Sequence, residues 1–432
     1  VPYRVAKDNN GGYGTANDLG DGIVPKILTW VLKQSMDYPP LPAVTILGQL
    51  RDQGHDVAYS RALPNTPYDV FIVPSSIVAH ESEIAAIEAL RQLHPNTPVL
   101  VIGSFASSMP QPYINAGAIV IAGESEVFFQ DFSFDQAALK SLPSFYQAIG
   151  NLDLSKPMIP AWDVVFKTFK PKLGFLGSGL TVPIIASRGC PYSCSHYCVY
   201  PLQQGKKVRS RAPAAVVAEM THLYQTLGIK KFPFRDPGFT INRKYVEALC
   251  HEIIQANLGF RFAAEFHLKD VDEGLANLLY RAGLRLAFVG IESVSSEVLS
   301  NAKRMTIPVD EQSQKVRLLQ KAGVKVKAMY IFGLPTDTEL SIDQTIRYAV
   351  NLNSDYGQFS IFTPYPGTPV YTEYADKITA KRYEEFTQWQ LVFTHPNLTA
   401  KAIRKYLSRA YTNYYTNPKW IAHKVLRMLG IR

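Results

Sequence analysis

The sequence predicts an α/β protein: an N-terminal Rossmann-like, doubly wound domain, then a partial (β/α) barrel of the TIM type, then a helical C-terminal segment. Short apolar runs alternate with amphipathic segments over residues 43–130, and about six further strand–helix units follow over 182–362. The 432 residues also exceed one ordinary domain of roughly 100–200 residues. The predicted division is 1–142 for the first domain, 143–180 for a linker, 181–375 for the barrel and 376–432 for the helical segment.

Glycines and the Pro39-Pro40 pair predict that the first forty residues form a loop with at most a short helix near Trp30. The continuous apolar run 99–102 suits a strand that is buried on both faces of a parallel sheet. Ligands of such a sheet bind at the carboxyl ends of its strands. The elements predicted next are a helix at 44–53, extended runs at 56–59 and 68–74, a helix at 81–93, and strands at 99–102 and 118–121.

In the barrel region, apolar strands and amphipathic helices alternate, which places the chemistry at the carboxyl ends of the strands. Residues 143–180 show no sustained periodicity and are therefore predicted to be a linker. The predicted strands are 182–186, 231–234, 261–265, 284–290, 325–332 and 356–362. The predicted helices are 213–227, 243–256, 271–282, 309–322 and 339–352.

The net charge is +9, and nearly all of the excess lies after Asn397, where there is no Asp or Glu. The rest of the chain is close to neutral, so we expect no nucleic-acid partner.

No stretch is long and apolar enough for a bilayer span, and no signal peptide is recognisable, which predicts a cytoplasmic protein. The basic tail is also aromatic. It either makes peripheral contact with an anionic membrane or packs on the barrel as a solvated helix. Its aromatic residues are Tyr406, Tyr411, Tyr414, Tyr415 and Trp420.

Three of the four cysteines, Cys190, Cys194 and Cys198, fall within nine residues directly after the first barrel strand. In a reducing compartment such a group favours a metal site over disulfides. Three thiolates on one loop can bind three irons of a [4Fe-4S] cluster and leave the fourth iron open. A zinc site that uses His196 as fourth ligand, or a coincidental grouping, are the alternatives.

The string Arg188-Gly189-Cys190-Pro191, with Tyr197 before the last cysteine, resembles radical S-adenosylmethionine enzymes, in particular those with an N-terminal cobalamin-binding domain. The interval between Cys194 and Cys198 holds three residues, one more than the family uses. The resemblance implies a [4Fe-4S] cluster on the three cysteines. It also implies that S-adenosylmethionine binds to the open iron, and that its reductive cleavage gives a 5′-deoxyadenosyl radical.

Further motifs at the strand ends match positions at which the family binds S-adenosylmethionine. By resemblance, Tyr197 and Gly333 approach adenine, Asp236 the amino group and Arg304 the carboxylate. Glu265 and Glu292 suit the ribose hydroxyls, Ser293 completes the Gly-Ile-Glu-Ser string, and His267 stands where relatives often carry arginine. Each residue also has a structural alternative, such as a turn or helix cap for Asp236 and exposed helix charge for Arg304.

In the first domain, Gly103-Ser104 and Gly123-Glu124 resemble the later loops of a cobalamin-binding domain. No Asp-x-His-x-x-Gly string is present to supply an axial histidine, so cobalamin is implied by resemblance alone. A domain that binds no cofactor is the alternative.

The resemblance implies an enzyme that methylates, cyclises or oxidises an unactivated carbon of a hydrophobic or tetrapyrrole-like small molecule, with an electron donor such as flavodoxin or ferredoxin. A methylthiotransferase is excluded because it needs a second cluster, and residues 1–189 contain no cysteine. A non-catalytic iron-sulfur or zinc-binding protein with a degenerate barrel site is the alternative from another class.

Overall fold

The computed structural model describes residues 6–7, 14–15, 18–35, 39–156, 158–168 and 180–428. The strands are β1 Ala6–Lys7, β2 Gly14–Thr15, β3 Phe71–Pro74, β4 Val99–Ile102, β5 Ile119–Ala122, β6 Phe145–Gln147, β7 Ser187–Arg188, β8 Arg209–Ser210, β9 Lys231–Pro233, β10 Arg261–Glu265, β11 Leu284–Glu292, β12 Lys325–Phe332 and β13 Tyr356–Ile361.

The helices of the first part of the chain are α1 Ile23–Ser35, α2 Leu41–Asp52, α3 His80–Leu93, α4 Ser104–Ser108, α5 Gln111–Asn115, α6 Ser125–Asp131, α7 Gln136–Ser141 and α8 Trp162–Thr168. Those of the second part are α9 Tyr200–Gln204, α10 Pro213–Leu227, α11 Arg243–Ala256, α12 Glu273–Ala282, α13 Ser296–Asn301, α14 Val309–Ala322, α15 Glu339–Leu352, α16 Pro369–Glu373, α17 Ala400–Tyr415 and α18 Pro418–Met428.

The first sheet is parallel and has the strand order β3-β4-β5-β6. Apolar side chains cover both of its faces: Val99 and Val101 pack in one buried cluster, and Leu100 and Ile102 pack in another together with α2 and α6. This is the parallel, doubly covered sheet that the apolar runs predict. Its fourth strand, β6, lies within the predicted linker. The extended run at 56–59 does not join the sheet and forms no strand.

The second sheet is an open half-barrel of parallel strands in the order β13-β12-β11-β10-β9. The strand predicted at 182–186 is reduced to two bridges beside β9, formed by Thr181 and Ile184. Val182 and Ile184 donate to the carbonyls of Lys231 and Pro233, so the N–H that Pro183 lacks would face the open edge of the sheet, where proline is tolerated. The predicted α/β class, with a partial barrel, is therefore confirmed.

The strands of the half-barrel have a helix-covered face and a concave face, and β12 shows the alternation clearly. Val326, Ala328, Tyr330 and Phe332 are buried in the main core, whereas Lys327, Met329 and Ile331 are partly accessible. Because side chains alternate along a strand, the second set lies on the concave face. One lysine is therefore directed into the lumen of the half-barrel.

Helix α17 covers the free edge of β13 with tyrosine hydroxyls. Tyr411 Oη donates to the Phe359 carbonyl at 2.8 Å and accepts from the Phe359 N–H at 3.1 Å. Tyr415 Oη makes the same pair of bonds with Gly357, at 2.8 and 3.3 Å. An uncovered strand edge would expose unpaired backbone groups. The aromatic residues of the tail therefore pack on the half-barrel, and this supports the second of the two predicted roles.

The tail is helical only from residue 400, because 376–399 contains short 3₁₀ turns and irregular chain. Within the described ranges, no helix combines the length and the apolar character needed to cross a bilayer. The domain boundaries given above remain predictions.

Candidate active site

The cysteine loop begins with a turn that only glycine tolerates. β7 pairs antiparallel with β8, and the chain then turns at Gly189, whose φ is +93°. A Cβ at this position would collide with the carbonyl oxygen of Lys207. Since a left-handed φ and a close backbone approach both favour glycine, Gly189 directs the chain into Cys190.

The three predicted metal-binding thiols lie close together. Cys190 and Cys194 are buried, at 5% and 7% exposure, and Cys198 is partly buried. The Cys198 N–H donates to the Cys194 carbonyl at 3.0 Å, so the two residues are one helical turn apart. Cys194 raises the pKa of both Cys190 and Cys198 by charge repulsion, and Cys190 raises that of Cys198, which indicates that the three thiols are near one another.

These thiols fit an iron-sulfur cluster. Burial is the main cause that raises the pKa of all three, so their thiolates require a strong positive partner. In the described part of the chain, no three His, Cys, Asp or Glu groups surround one metal-ion position. The cysteines of a [4Fe-4S] cluster bind different irons, so they need not share such a position. The fourth cysteine, Cys250, is buried in the core of the half-barrel.

His196 does not extend toward these thiols as a fourth ligand. Its Nε2 lies 3.0 Å from Glu373 Oε2, and its Nδ1 lies 3.4 Å from the ammonium of Lys303. Both ring nitrogens are therefore engaged with residues outside the cysteine group, which disfavours the zinc alternative.

Arg304 links the cysteine loop to the end of β11. Its guanidinium lies 3.8 Å from Cys194 Sγ, 3.1 Å from Glu292 Oε1 and 3.1 Å from the carbonyl oxygen of Gly290. Burial raises the pKa of Glu292, and Arg304 opposes this shift. Tyr197 is close enough for Glu292 and Arg304 to perturb its hydroxyl, and its ring meets Phe362 edge-on. The structure thus brings Cys194, Tyr197, Glu292 and Arg304 together.

Glu265 joins this group from the end of β10. Its Oε2 accepts a hydrogen bond from Tyr200 at 3.3 Å. Burial raises the pKa of Glu265, Arg235 lowers it and Glu292 raises it. Sequence reasoning missed Tyr200 and Arg235, although each is within two residues of a predicted site residue, Cys198 and Asp236.

Lys327 was also missed. It faces the lumen in register with Phe288 and Tyr356, and burial lowers its pKa to about 8 while Glu265 opposes that shift. The available signal was a lysine in the interior of an otherwise apolar strand, on the same face as Met329 and Ile331.

Asp236 binds the chain segment that leads into the cysteine loop. Its carboxylate accepts from the Ala186 N–H at 3.0 Å and from Ser187 Oγ at 2.6 Å, and burial raises its pKa to about 6. Both oxygens are thus engaged at the start of the strand that leads to Cys190. The predicted contact of Asp236 with an amino group of the ligand stays a prediction.

His267 and Ser293 are also engaged by the protein. His267 Nδ1 accepts from the Lys269 N–H at 3.1 Å, so the neutral ring carries its proton on Nε2, which faces the Met305 carbonyl at 3.4 Å. Burial is the main cause that lowers its pKa, to about 4. Ser293 Oγ lies 3.3 Å from Thr345 Oγ1. Their predicted ligand contacts also stay predictions.

Gly333 follows β12 with φ +76°, a conformation that favours glycine. Asp337 holds this turn by accepting from the Gly333 and Leu334 N–H groups, at 3.0 and 3.1 Å. The backbone at Gly333 is therefore fixed at the mouth of the half-barrel.

The four residues predicted for cobalamin line one cavity between the first sheet and the cysteine loop. It is lined by Gly103, Ser104, Gly123 and Glu124, together with Arg188 and Gln204 among others. Arg188 is 5% exposed and pairs with Glu124 at 3.5 Å and Glu126 at 2.5 Å. Among the described residues, Arg188 Nε and both polar atoms of the Gln204 amide are buried without a hydrogen-bond partner. Such atoms suit a polar ligand, because leaving them unpaired is costly.

Residues 184–349 match the family model described as the Radical SAM superfamily. An uncharacterised methyltransferase of Pyrococcus horikoshii is 25% identical, with 91% of each chain covered. The bacteriochlorophyllide d C-12(1)-methyltransferase of Chlorobaculum tepidum is 28% identical over 63% of this chain and 59% of its own. The anaerobic magnesium-protoporphyrin IX monomethyl ester cyclase of Cereibacter sphaeroides is 28% identical over 60% of this chain and 42% of its own length. The chain thus matches less than two thirds of the length of the last two relatives.

Two solved structures share the two-domain fold. The radical S-adenosylmethionine methyltransferase TsrM of Kitasatospora setae superposes with a TM-score of 0.69 at 17% identity, covering 87% of this chain and 86% of its own. The cobalamin-dependent radical enzyme OxsB superposes with a TM-score of 0.55 at 11% identity, covering 91% of this chain and 59% of its own. The three clustered thiols of Cys190, Cys194 and Cys198 lie near the start of the matched region 184–349. Residues 184–349 therefore match the radical S-adenosylmethionine superfamily, and this match implies an enzyme with a [4Fe-4S] cluster and S-adenosylmethionine as its cofactors, in agreement with the prediction.

Proposed function

We propose that this enzyme is cobalamin-dependent and methylates, cyclises or oxidises an unactivated carbon of a hydrophobic small molecule, with tetrapyrroles as the first class to test. The cavity at the strand ends of the first sheet carries the proposal. Its wall includes Arg188, two residues before Cys190, so a cofactor bound there would border the cysteine loop.

Cys190, Cys194 and Cys198 would hold the cluster. When bound, the reduced cluster supplies the electron that cleaves S-adenosylmethionine, and the resulting 5′-deoxyadenosyl radical takes hydrogen from an unactivated carbon. The protein positions and shields this chemistry. Arg304 keeps a cation 3.8 Å from Cys194 Sγ and is itself oriented by Glu292, so it can bind the carboxylate of the ligand.

The carboxylates of Glu265 and Glu292 suit hydroxyl groups of the ligand. Glu292 raises the pKa of Glu265, and both residues lie at strand ends beside the cysteine loop. Arg304 and Tyr200 use only part of the hydrogen-bonding capacity of these carboxylates, since a carboxylate offers about four acceptor sites, so ribose hydroxyls could donate to the remaining ones. The backbone at Gly333 is fixed by Asp337, and the Tyr197 ring, edge-on to Phe362, would offer an aromatic surface to adenine.

The cavity of the first domain offers polar groups to which cobalamin could bond. Gly103 and Gly123 have φ values of +112° and +89°, and a Cβ on Gly123 would lie 2.8 Å from Gln147 Nε2. The Gln204 amide and Arg188 Nε would bond polar groups of the cofactor. When bound, cobalamin supplies a carrier for a methyl group, whereas cyclisation or oxidation needs only the radical.

The substrate class rests on the relatives. The matched methyltransferase and cyclase are named for bacteriochlorophyllide d and for magnesium-protoporphyrin IX monomethyl ester, and both are tetrapyrroles. The enzyme would also need a reducing partner such as flavodoxin or ferredoxin. We do not propose membrane contact through the tail, because Tyr406, Tyr411 and Tyr414 are buried.

The first test is electron paramagnetic resonance of anaerobically reconstituted, reduced protein with and without S-adenosylmethionine. We expect a [4Fe-4S] signal that changes when S-adenosylmethionine is added. Cys194→Ala should lose it, and Cys250→Ala, at a buried cysteine outside the loop, should keep it. Zinc in place of iron and sulfide, or a cluster that ignores S-adenosylmethionine, would support the non-catalytic alternative.

The second test is binding of hydroxocobalamin, followed by its absorbance. Gln204→Leu should weaken binding about tenfold by removing two polar partners, and Gln111→Leu on the exposed face of α5 should not. Turnover is then tested with bacteriochlorophyllide d and with magnesium-protoporphyrin IX monomethyl ester. Mass spectrometry distinguishes a methylated product from a cyclised one, and no product from either would reject the tetrapyrrole class.

A further inference from the structure

The interval between Cys194 and Cys198 is one residue longer than is needed to place their two thiols on the same side of the turn. Cys194 and Cys198 form one helical turn, closed by the Cys198 N–H at 3.0 Å from the Cys194 carbonyl. The turn begins with the 3₁₀ segment Ser193–His196, and in such a segment residues three apart share a face. Two intervening residues would therefore align the thiols equally well. The third residue must be explained by its own contacts.

Those contacts belong to His196. The Lys303 ammonium donates toward Nδ1 at 3.4 Å, so the ring proton lies on Nε2 and is donated to Glu373 at 3.0 Å. One tautomer thus satisfies both contacts. The neighbouring Ser193 donates to the Lys303 carbonyl oxygen at 2.7 Å. The loop is therefore attached to two segments that are 107 and 177 residues away in sequence.

The two attachment points are themselves ordered. Glu373 is the last residue of α16, whose first turn is capped by the Thr368 side chain. Lys303 directly precedes Arg304, which contacts Cys194 Sγ. His196 is 13% exposed while Glu373 is 53% exposed, so the contact lies at the surface end of the loop.

We propose that His196, Glu373 and Lys303 form a latch that fixes the second half of the cysteine loop and so holds Cys198 in place relative to Cys190 and Cys194. His196 is a positioning residue in this proposal, not a cluster ligand. The inference rests on the iron-sulfur site of the proposed function, but not on cobalamin or on any substrate.

The size of the effect follows from the exposure of Glu373. A partly exposed hydrogen bond from the neutral ring to the carboxylate contributes about 0.5–1 kcal/mol, which corresponds to a roughly two- to fivefold change in an equilibrium or a rate. We therefore expect the latch to slow the loss of iron from the assembled cluster and not to determine whether the chain folds.

The experiment compares reconstituted wild type with Glu373→Gln, His196→Ala, a deletion of His196, and the deletion combined with Glu373→Gln. Glu297→Gln on exposed α13 is the control. The measurements are iron and sulfide content, the rate of iron transfer to a ferrous chelator under anaerobic conditions, and the paramagnetic resonance signal with and without S-adenosylmethionine.

Glu373→Gln and His196→Ala should each release iron about two to five times faster and broaden the signal. The deletion leaves a two-residue interval that needs no latch, so adding Glu373→Gln to it should change nothing. Equal release rates in wild type and Glu373→Gln, or the same effect of Glu373→Gln in the deletion background, would overturn the latch. A wild type that assembles no cluster would instead reject the proposed function.

Discussion

Removing Arg304 should expose the electrostatic balance of the site. In Arg304→Met the Glu292 carboxylate loses its partner at 3.1 Å, and the Gly290 carbonyl loses a hydrogen bond. The two side chains are only 15% and 11% exposed. Breaking a buried pair costs about 3–5 kcal/mol. Because some solvent reaches both groups, we take about 3 kcal/mol, or a fall in melting temperature of about 6–12 °C for a domain of this size.

The pH dependence of this loss has a defined sign. Burial raises the pKa of Glu292 above its usual 4.5, and Arg304 opposes that shift, so the variant raises it further. Between 4.5 and the folded pKa, the folded state binds more protons than the unfolded state. Stability therefore decreases as pH rises through that window. Arg304→Met should be closer to wild type at pH 5.5 than at pH 8.

The assay is thermal unfolding of anaerobically prepared protein at both pH values. Arg304→Met combined with Glu292→Gln should recover part of the loss and abolish its pH dependence, since no charge is left unpaired. The exposed Arg281→Met is the matched control and should melt within about 2 °C of wild type. An equal loss at pH 5.5 and pH 8, or no loss, would refute the reasoning.

Two further substitutions test the half-barrel. Tyr411→Phe leaves the buried N–H and C=O of Phe359 without partners and should lower the free energy of unfolding in denaturant by about 2–4 kcal/mol. The control Tyr371→Phe should lower it by less than about 0.5 kcal/mol. Equal losses in the two variants would contradict the edge-capping role of Tyr411. Lys327→Met removes a buried ammonium whose pKa is lowered to about 8 from 10.5, so it should gain about 1–3 kcal/mol at pH 7. Between pH 8 and 10.5 the unfolded wild type binds more protons than the folded wild type, so the stability of the wild type should rise over that window. If the stabilities of wild type and Lys327→Met change with pH in parallel, the lysine charge is not buried.

Local patterns in the sequence determined the chemistry and most of the fold. Three cysteines within nine residues indicate their own ligand function, because a loop that short keeps them near one another whatever surrounds it. The alternation of apolar runs with amphipathic segments predicted the parallel sheets, since strand and helix periods depend only on nearby residues. Errors arose where an element depends on distant partners: the run 56–59 has the composition of a strand but no neighbour to pair with.

Which side chains meet depends on how distant segments pack together. Arg304 reaches Cys194 across 110 positions, and Arg188 joins the cysteine loop to Glu124 of the first sheet. The aromatic tail has the composition of a membrane-surface helix, yet its hydroxyls cover the edge of β13, because that edge needs hydrogen-bond partners. The order of residues within a segment specifies which helix or strand that segment can form and which ligand side chains it can offer. Which charges pair, which surfaces are covered and which atoms remain for a cofactor depend on contacts between segments far apart in the chain, and no local period encodes them.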